Sequence, residues 1–252
     1  MISVVIPCYN EAKTIRQIVE RVRAAPVPDK EILIVDDCSR DGTREAVLAY
    51  QSHPEVRVIL EDRPQGKGHA VRTGFAAARG DIVMIQDADL EYDLNDYEGL
   101  LEPLLKHRAL FVLGTRHLGH WKIRHFENQW LLTALMNFGH AFFTGLMNVL
   151  FRQRMTDPFT MFKVLRRDCL YGLEFECNRF DFDHELVIKL VRKGYRPLEI
   201  PVNYISRSFA QGKKVTLFRD PLSWLWVNLR LRFVPLYRRR PTVEEKKEET
   251  PR

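Results

Sequence analysis

Short apolar runs alternate with helical patterns through the first half of this chain, and the ends of the runs carry clusters of polar residues. Residues 2–6, 31–35, 56–60, 82–85 and 110–113 have the length and apolar content of strands. Between them, residues 14–24 place Ile15, Ile18, Val19 and Val22 at helical spacing, and residues 68–78 and 94–105 read the same way. Strands that alternate with helices need crossover connections, so the expected fold is α/β, with a mostly parallel central sheet flanked by helices. In open sheets of this kind ligands bind beyond the carboxyl ends of the strands. Here those ends run into PCYNE, DDCSRDGT and QDADLE, as a nucleotide-binding architecture would require.

The chain's 252 residues suffice for one sizeable domain, and its 45% apolar and 29% charged residues speak against disorder or a fibre. Charge is distributed unevenly. Between residues 207 and 240 nine Lys or Arg face a single acid, Asp220, and the net charge is +6. Such a segment prefers phosphate groups, anionic lipid or nucleic acid. No aromatic stacking platform accompanies it, so nucleic acid is not the expected partner. Cys8, Cys38, Cys169 and Cys177 show no CxxC spacing, and no signal peptide precedes the first strand. A reduced, cytoplasmic compartment without zinc is the expectation.

The second half has a different character. Residues 128–151 contain no Asp, Glu, Lys or Arg, a span long enough to cross a bilayer. Gln129, Thr133, Asn137, His140, Thr144 and Asn148 nevertheless recur every three or four residues and form one polar stripe. That pattern favours a peripheral or core helix with two environments over a true span, because each polar group in hydrocarbon would need a partner. Further on, Asp220 and Pro221 fit an N-cap followed by a first helical position. Trp224, Trp226, Arg230 and Arg232, mixed with leucines, suit either a helix lying in the headgroup layer or one packed on the domain. The expected division is therefore a catalytic domain at 1–218, a basic, Trp-containing and amphipathic helix at 219–240 that lies at an interface, and a disordered tail at 241–252.

Chemistry concentrates in three clusters. Asp87 and Asp89, separated by the small Ala88, follow the apolar run IVMI, with Glu91 two residues on. So much negative charge calls for a cation, and oxygen donors suit Mg²⁺ or Mn²⁺ bridging to a diphosphate. The alternative is a solvated acidic strand end. Asp36 and Asp37 follow the second run, where a carboxylate can bond a base or ribose, while Asp41 and Gly42 read as a cap and a turn. In Gln65-Gly66-Lys67-Gly68 the backbone can approach a ligand closely and Lys67 can reach phosphate; the P-loop pattern is absent.

Taken together, VVIPCYNEAKTI, VDDCSRDGT, GKGHAVRTGFAAARGD and IQDADLEYD resemble, in order and spacing, the family 2 glycosyltransferases of GT-A fold. MTDPFTMFKVLRR, NRFDFDHELVIKLVRKGYRPLEIPVNY and SRSFAQGKKV are similar to the dolichyl- and polyprenyl-phosphate sugar synthase branch. The resemblance implies that Pro7, Tyr9 and Glu11 border the nucleotide, that Asp37 holds its base, and that Asp87 and Asp89 meet ribose and metal. It places Arg116 on the acceptor side, and Arg207 and Lys213 on a loop that closes on the diphosphate. The chain departs from that branch at Glu91, where Gln is frequent, and at a second acceptor-side arginine, for which Gln129, Trp130 and Asn137 stand and Arg124 is a substitute. Many relatives also continue into transmembrane hairpins, and for the present sequence the expectation is peripheral membrane contact, reliance on a partner, or a soluble acceptor.

The resemblance implies inversion at the anomeric carbon of a nucleotide diphosphate hexose, with a UDP-sugar favoured and GDP-mannose the alternative. A polyprenyl or dolichyl phosphate is the expected acceptor, and the expected location is peripheral, on the cytoplasmic face of a membrane. Such an acceptor is already anionic and needs only cations to hold it. A glycan hydroxyl would instead require a base, for which Asp183 and Glu185 are candidates unless they are simply the acidic first turn of a helix. A non-catalytic nucleotide-sugar scaffold is the third reading. The apolar helix could equally pack on a second copy of the chain or on a membrane subunit.

Overall fold

A computed structural model describes residues 1–27, 29–117, 130–207, 216 and 219–237. Arg124, Gln129, Lys213 and the tail at 241–252 lie outside the described residues. The first half alternates β1 (Ile2–Cys8), α1 (Ile15–Ala24), β2 (Lys30–Asp36), α2 (Thr43–Leu48), β3 (Val56–Leu60), α3 (Lys67–Ala77), β4 (Ile82–Ile85), α4 (Tyr97–Leu105) and β5 (Phe111–Thr115). The second half supplies α5 (Trp130–Phe151), β6 (Lys163–Arg166), α6 (Phe182–Arg192), β7 (Leu198–Pro201) and α7 (Arg219–Phe233). The sheet order is β3-β2-β1-β4-β6-β5-β7. Only β6 runs antiparallel, against both β4 and β5.

All of β1 is buried, as expected of a central strand covered on both faces. The apolar stripe of α1 is its core face, with Ile15, Ile18, Val19 and Val22 fully inaccessible. The fourth helix begins later than its apolar spacing suggests. Asp93 accepts the Asn95 amide at 3.1 Å, and a short 3-10 turn at Leu94–Asp96 precedes α4. β6 and β7 have only four residues each, KVLR and LEIP, too short to show a period. With Leu198 exposed and a proline at its end, β7 has the character of an edge strand.

α5 packs the other way round from α1. His140, Phe143, Thr144 and Met147 are buried, whereas Trp130 is 78% and Phe138 70% exposed. Asn148 completes the inward side, exchanging hydrogen bonds with Met155 N and O at 2.9 and 2.8 Å. The polar stripe therefore faces the protein and the apolar side faces outward. By length and composition α5 could cross a membrane, yet its inner side packs on α6 and α7.

α7 begins at Arg219, two residues earlier than an Asp220 cap followed by Pro221 suggests. Asp220 is buried in the first turn, where it accepts the Thr216 amide at 2.7 Å. The two tryptophans of α7 diverge: Trp224 stacks on His184 at 5.4 Å between ring centres, while Trp226 is 65% exposed.

Candidate active site

A cavity of about 800 Å³ opens at the carboxyl ends of β1, β2 and β4. One side is polar, with Tyr9, Glu11, Asp37, Gln65, Lys67, Asp87, Asp89, Glu91 and Arg207. The other is largely apolar, with Leu135, Phe138, Phe143, Phe159, Met161 and Trp224. Pro7 and Ala88 line it as well, as do Arg116 and Asp183. The strand ends thus gather all the described sequence-derived site residues except Glu185.

Asp37 organises the loop before α3. Its Oδ1 and Oδ2 accept the amides of Gln65 and Gly66 at 2.7 and 2.8 Å. Burial raises its pKa, and those two amides offset part of the effect. The glycines of that loop answer to the chain itself rather than to a ligand. Gly66 has φ +103°, and a Cβ there would meet Asn178 O at 2.5 Å; one on Gly68 would lie 2.5 Å from Phe182 Cβ. The Gly-Lys-Gly pattern therefore reports contact with the segment entering α6. Gly42, at φ +96°, is the turn expected there and is itself the N-cap of α2, while Asp41 just before it accepts Thr43 N at 3.1 Å.

The acids after β4 are matched by cations of the chain. Lys67 Nζ lies 2.6 Å from Asp87 Oδ1. Arg207 reaches Glu11 at 3.1 Å and Asp89 at 3.0 Å. Burial, reinforced by the charges of Asp87 and Glu91, raises the Asp89 pKa to about 7 against the pull of Arg207 and Lys67. Glu91 is turned to another task. It accepts the Tyr204 hydroxyl at 2.7 Å and the Arg207 amide at 2.9 Å, and so anchors the segment that carries Arg207.

These carboxylate oxygens fit a hard divalent cation in donor type and in excess charge. Among the described residues, however, no three acidic, His or Cys groups already converge as a metal cluster. Lys67 and Arg207 lie against Asp87 and Asp89 at 2.6 and 3.0 Å.

Arg116 is not a free cation at the cavity wall. Its Nε and Nη2 bond both oxygens of the fully buried Asp157, at 2.7 and 2.8 Å, and its guanidinium lies 5.1 Å from the Tyr204 ring centre. Burial opposes ionisation of Asp157, but the adjacent guanidinium more than compensates and holds its pKa below the usual carboxylate range. The pair ties the end of β5 to the chain before β6, and His140 of α5 stands 3.6 Å from Asp157 Oδ1.

The two acids at the start of α6 separate in role. Asp183 lines the cavity, and its Oδ1 accepts a 2.9 Å hydrogen bond from the fully buried Lys163. Glu185 does not reach the cavity. Its carboxylate accepts the amides of Glu176 and Cys177 at 3.0 and 2.8 Å and pairs with Lys189, so the candidate base of the sequence reading is a structural brace. Asp157 and Lys163 were not singled out in the sequence, although Asp157 stands inside MTDPF. Neither was the aromatic stack of Phe159, His184 and Trp224, with Phe159 and His184 4.1 Å apart. Burial, then the nearby Lys163 and His140, hold the His184 pKa well below its ordinary value, so the ring is neutral.

A family model described as Glycosyl transferase family 2 matches residues 3–172. The chain is 29% identical over 213 residues to a dolichol-phosphate mannosyltransferase of Pyrococcus furiosus, covering 84% of this chain and 58% of that protein. It is 26% identical over 244 residues to an undecaprenyl-phosphate mannosyltransferase of Micrococcus luteus, covering 90% and 97%. A dolichyl-phosphate beta-glucosyltransferase of Trichomonas vaginalis shares 27% over 215 residues, covering 79% and 62%. The chain thus spans less than two thirds of the Pyrococcus and Trichomonas proteins and nearly all of the Micrococcus one. Among solved structures, glucosyl-3-phosphoglycerate synthase of Mycobacterium tuberculosis with Mn²⁺, UDP-glucose and phosphoglyceric acid superposes with a TM-score of 0.66 at 21% identity, covering 93% and 80%. That likeness is one of fold, the GT-A architecture expected from the motifs.

Proposed function

The chain belongs to glycosyl transferase family 2 and is a glycosyltransferase, and on that premise we propose that it moves a hexose from a nucleotide diphosphate donor to a polyprenyl or dolichyl phosphate. One observation carries this reading. A single cavity joins a polar side built from Asp37, Lys67, Asp87, Asp89 and Arg207 to an apolar side that ends at exposed Leu135 and Phe138 of α5. A donor with phosphates and an acceptor with a hydrocarbon tail would each meet matching chemistry. The similarity to proteins named for dolichol-phosphate and undecaprenyl-phosphate mannosyl transfer points the same way.

In this reading Pro7, Tyr9, Glu11 and Asp37 border the nucleotide. Asp87 and Asp89 would hold Mg²⁺ or Mn²⁺, which when bound would supply Lewis-acid stabilisation of the leaving diphosphate. Arg207, already beside Glu11 and Asp89, adds positive charge at the same edge, a role the family resemblance also implies for Lys213. The acceptor phosphate oxygen attacks the anomeric carbon from the opposite face with inversion. It is anionic before it arrives and needs no base. Arg116 faces that side with its charge already matched by Asp157, so its part is to fix the wall and offer hydrogen bonds. A UDP-sugar is the donor we favour, with GDP-mannose the alternative.

We place residues 1–218 as the catalytic domain and α7, which ends at Phe233 rather than running to 240 as the sequence suggested, as the helix that completes its acceptor side. Leu131, Leu135 and Phe138 of α5 and Leu222, Trp226 and Phe233 of α7 are exposed on two helices that pack together. Together they form an apolar face suited to lie in the headgroup layer, peripherally and on the cytoplasmic side.

The test is transfer of radiolabel from UDP-glucose, UDP-N-acetylglucosamine and GDP-mannose to organic-extractable product, with Mg²⁺ or Mn²⁺ and polyprenyl phosphate. Labelled lipid with one donor, absent in Asp89→Ala, is the expected result. Slow release of free sugar with no labelled lipid would remove the lipid phosphate and leave a glycan acceptor.

A further inference from the structure

Asp183 is the cavity-lining carboxylate that the mechanism above leaves unused. It opens α6, is 7% exposed, and has one oxygen pinned by Lys163. Lys163 is fully inaccessible, and its ammonium also bonds Thr160 O, so it holds Asp183 from below and cannot itself reach a ligand. The other oxygen, Oδ2, has no hydrogen-bond partner among the described residues. Lys67 lies on the diphosphate edge, 2.6 Å from Asp87 Oδ1. Burial opposes its charge, but the attraction of Asp87 and then of Asp183 more than offsets that and raises its pKa. Asp183 thus lines the same cavity as Asp37, Asp87 and Lys67, with Met161, Phe180 and His184 also in its wall.

Resting on the donor-site reading given above, we propose that Asp183 receives the hydroxyl groups of the donor hexose, with Lys163 as its positioning residue, and that this pair sets which sugar is transferred. An ionised carboxylate with one oxygen fixed and the other free accepts hydrogen bonds from hydroxyls, in geometry that an epimer cannot match. The neutral His184 beside it brings no competing charge. A general base is the poorer assignment. That role calls for a group that gives up its existing contacts and takes a proton, whereas here one carboxylate oxygen is held at 2.9 Å by the buried Lys163 Nζ.

The experiment compares calorimetric binding of UDP with UDP-glucose, and of GDP with GDP-mannose, in the full chain with Mn²⁺ and in Asp183→Asn. The variant should weaken the productive sugar nucleotide by ~10–100-fold, the range for a lost hydrogen bond to a charged group. The matching nucleoside diphosphate should change by less than about twofold, and the kcat/KM preference over an epimeric donor should shrink. Equal weakening of both ligands would overturn the proposal in favour of a general charge effect. Unchanged binding with kcat lost would overturn it in favour of a base. If leaving Lys163 unpaired prevents folding, the double variant Lys163→Met, Asp183→Asn removes both charges, and the same split is expected of it. Failure of the wild type to bind any nucleoside diphosphate would instead remove the donor-site reading, and this inference with it.

Discussion

α1 and α5 obey the same periodicity with opposite outcomes. In α1 the apolar stripe of Ile15, Ile18, Val19 and Val22 packs on the sheet and the polar residues meet solvent. In α5 the polar stripe turns inward, bringing His140 to Asp157 and Asn148 to Met155, while Trp130, Leu131, Phe138 and Val149 are left outside. Burial of apolar surface accounts for the first helix. For the second it does not, because that surface has not been removed from water. An outward apolar face of this size marks an interaction surface rather than a core. The difference teaches that hydrophobic periodicity identifies a helix and its two faces, but says nothing of which face the protein keeps.

The comparison breaks most sharply under one substitution made twice. Ile18→Glu places an unpaired charge in the core and should destabilise by ~4–5 kcal/mol or more, read as loss of the cooperative melting transition. Leu131→Glu should move stability by no more than about 0.5 kcal/mol, yet reduce sedimentation with anionic vesicles. Equal destabilisation by both would mean that the outer face of α5 is core after all.

The inner side of α5 depends on the buried pair beneath it. Removing one member, in Asp157→Ala, leaves the Arg116 charge uncompensated and should cost ~3–5 kcal/mol in chemical denaturation. Replacing both by apolar residues should recover most of that loss. The polar side of the cavity responds differently. Asp89→Ala should lower kcat by ~10²–10³-fold, the scale set by losing one electrostatic contact to the leaving group, with the melting temperature held or raised. A variant with full activity would remove Asp89 from the chemistry.

The first half was legible because its signals are local. Five apolar runs gave five strands, and each acid cluster lay within a few residues of a strand end, so Asp37, Asp87 and Asp89 could be placed beside a cavity from sequence alone. What escaped depends on partners far along the chain. Arg116 reads as an acceptor cation until Asp157, 41 residues on, is seen to neutralise it. Glu185 reads as a base until the amides of Glu176 and Cys177 are seen to use it. Glu91 reads as a metal ligand, and the sequence gives no sign that Tyr204 and Arg207 also come to it from 113 and 116 residues away. β6 and β7 were missed for a simpler reason, since four residues with charges or a proline carry no period.

The smallest effect concerns the acid cluster itself and is a matter of sign. Asp89 is held at about 7, above the 3.8 of a free carboxyl, because burial and its acidic neighbours disfavour the charged form. A carboxyl whose pKa is raised on folding gives stability that is fully present below the unfolded value and is lost as pH rises through the folded one. The ligand-free protein should therefore lose stability from this group as pH rises from roughly 4 through 7, seen as a falling melting temperature. Asp89→Asn should flatten that part of the profile, whereas Asp41→Asn should not. Burial acts on Asp41 as well, but hydrogen bonds from Thr43 and the Ala12 amide outweigh it and lower its pKa. A wild-type profile that matches that of Asp89→Asn over this window would mean that Arg207 already neutralises the cluster in full, and that the polar side, like the apolar one, is built to wait for its partner without strain.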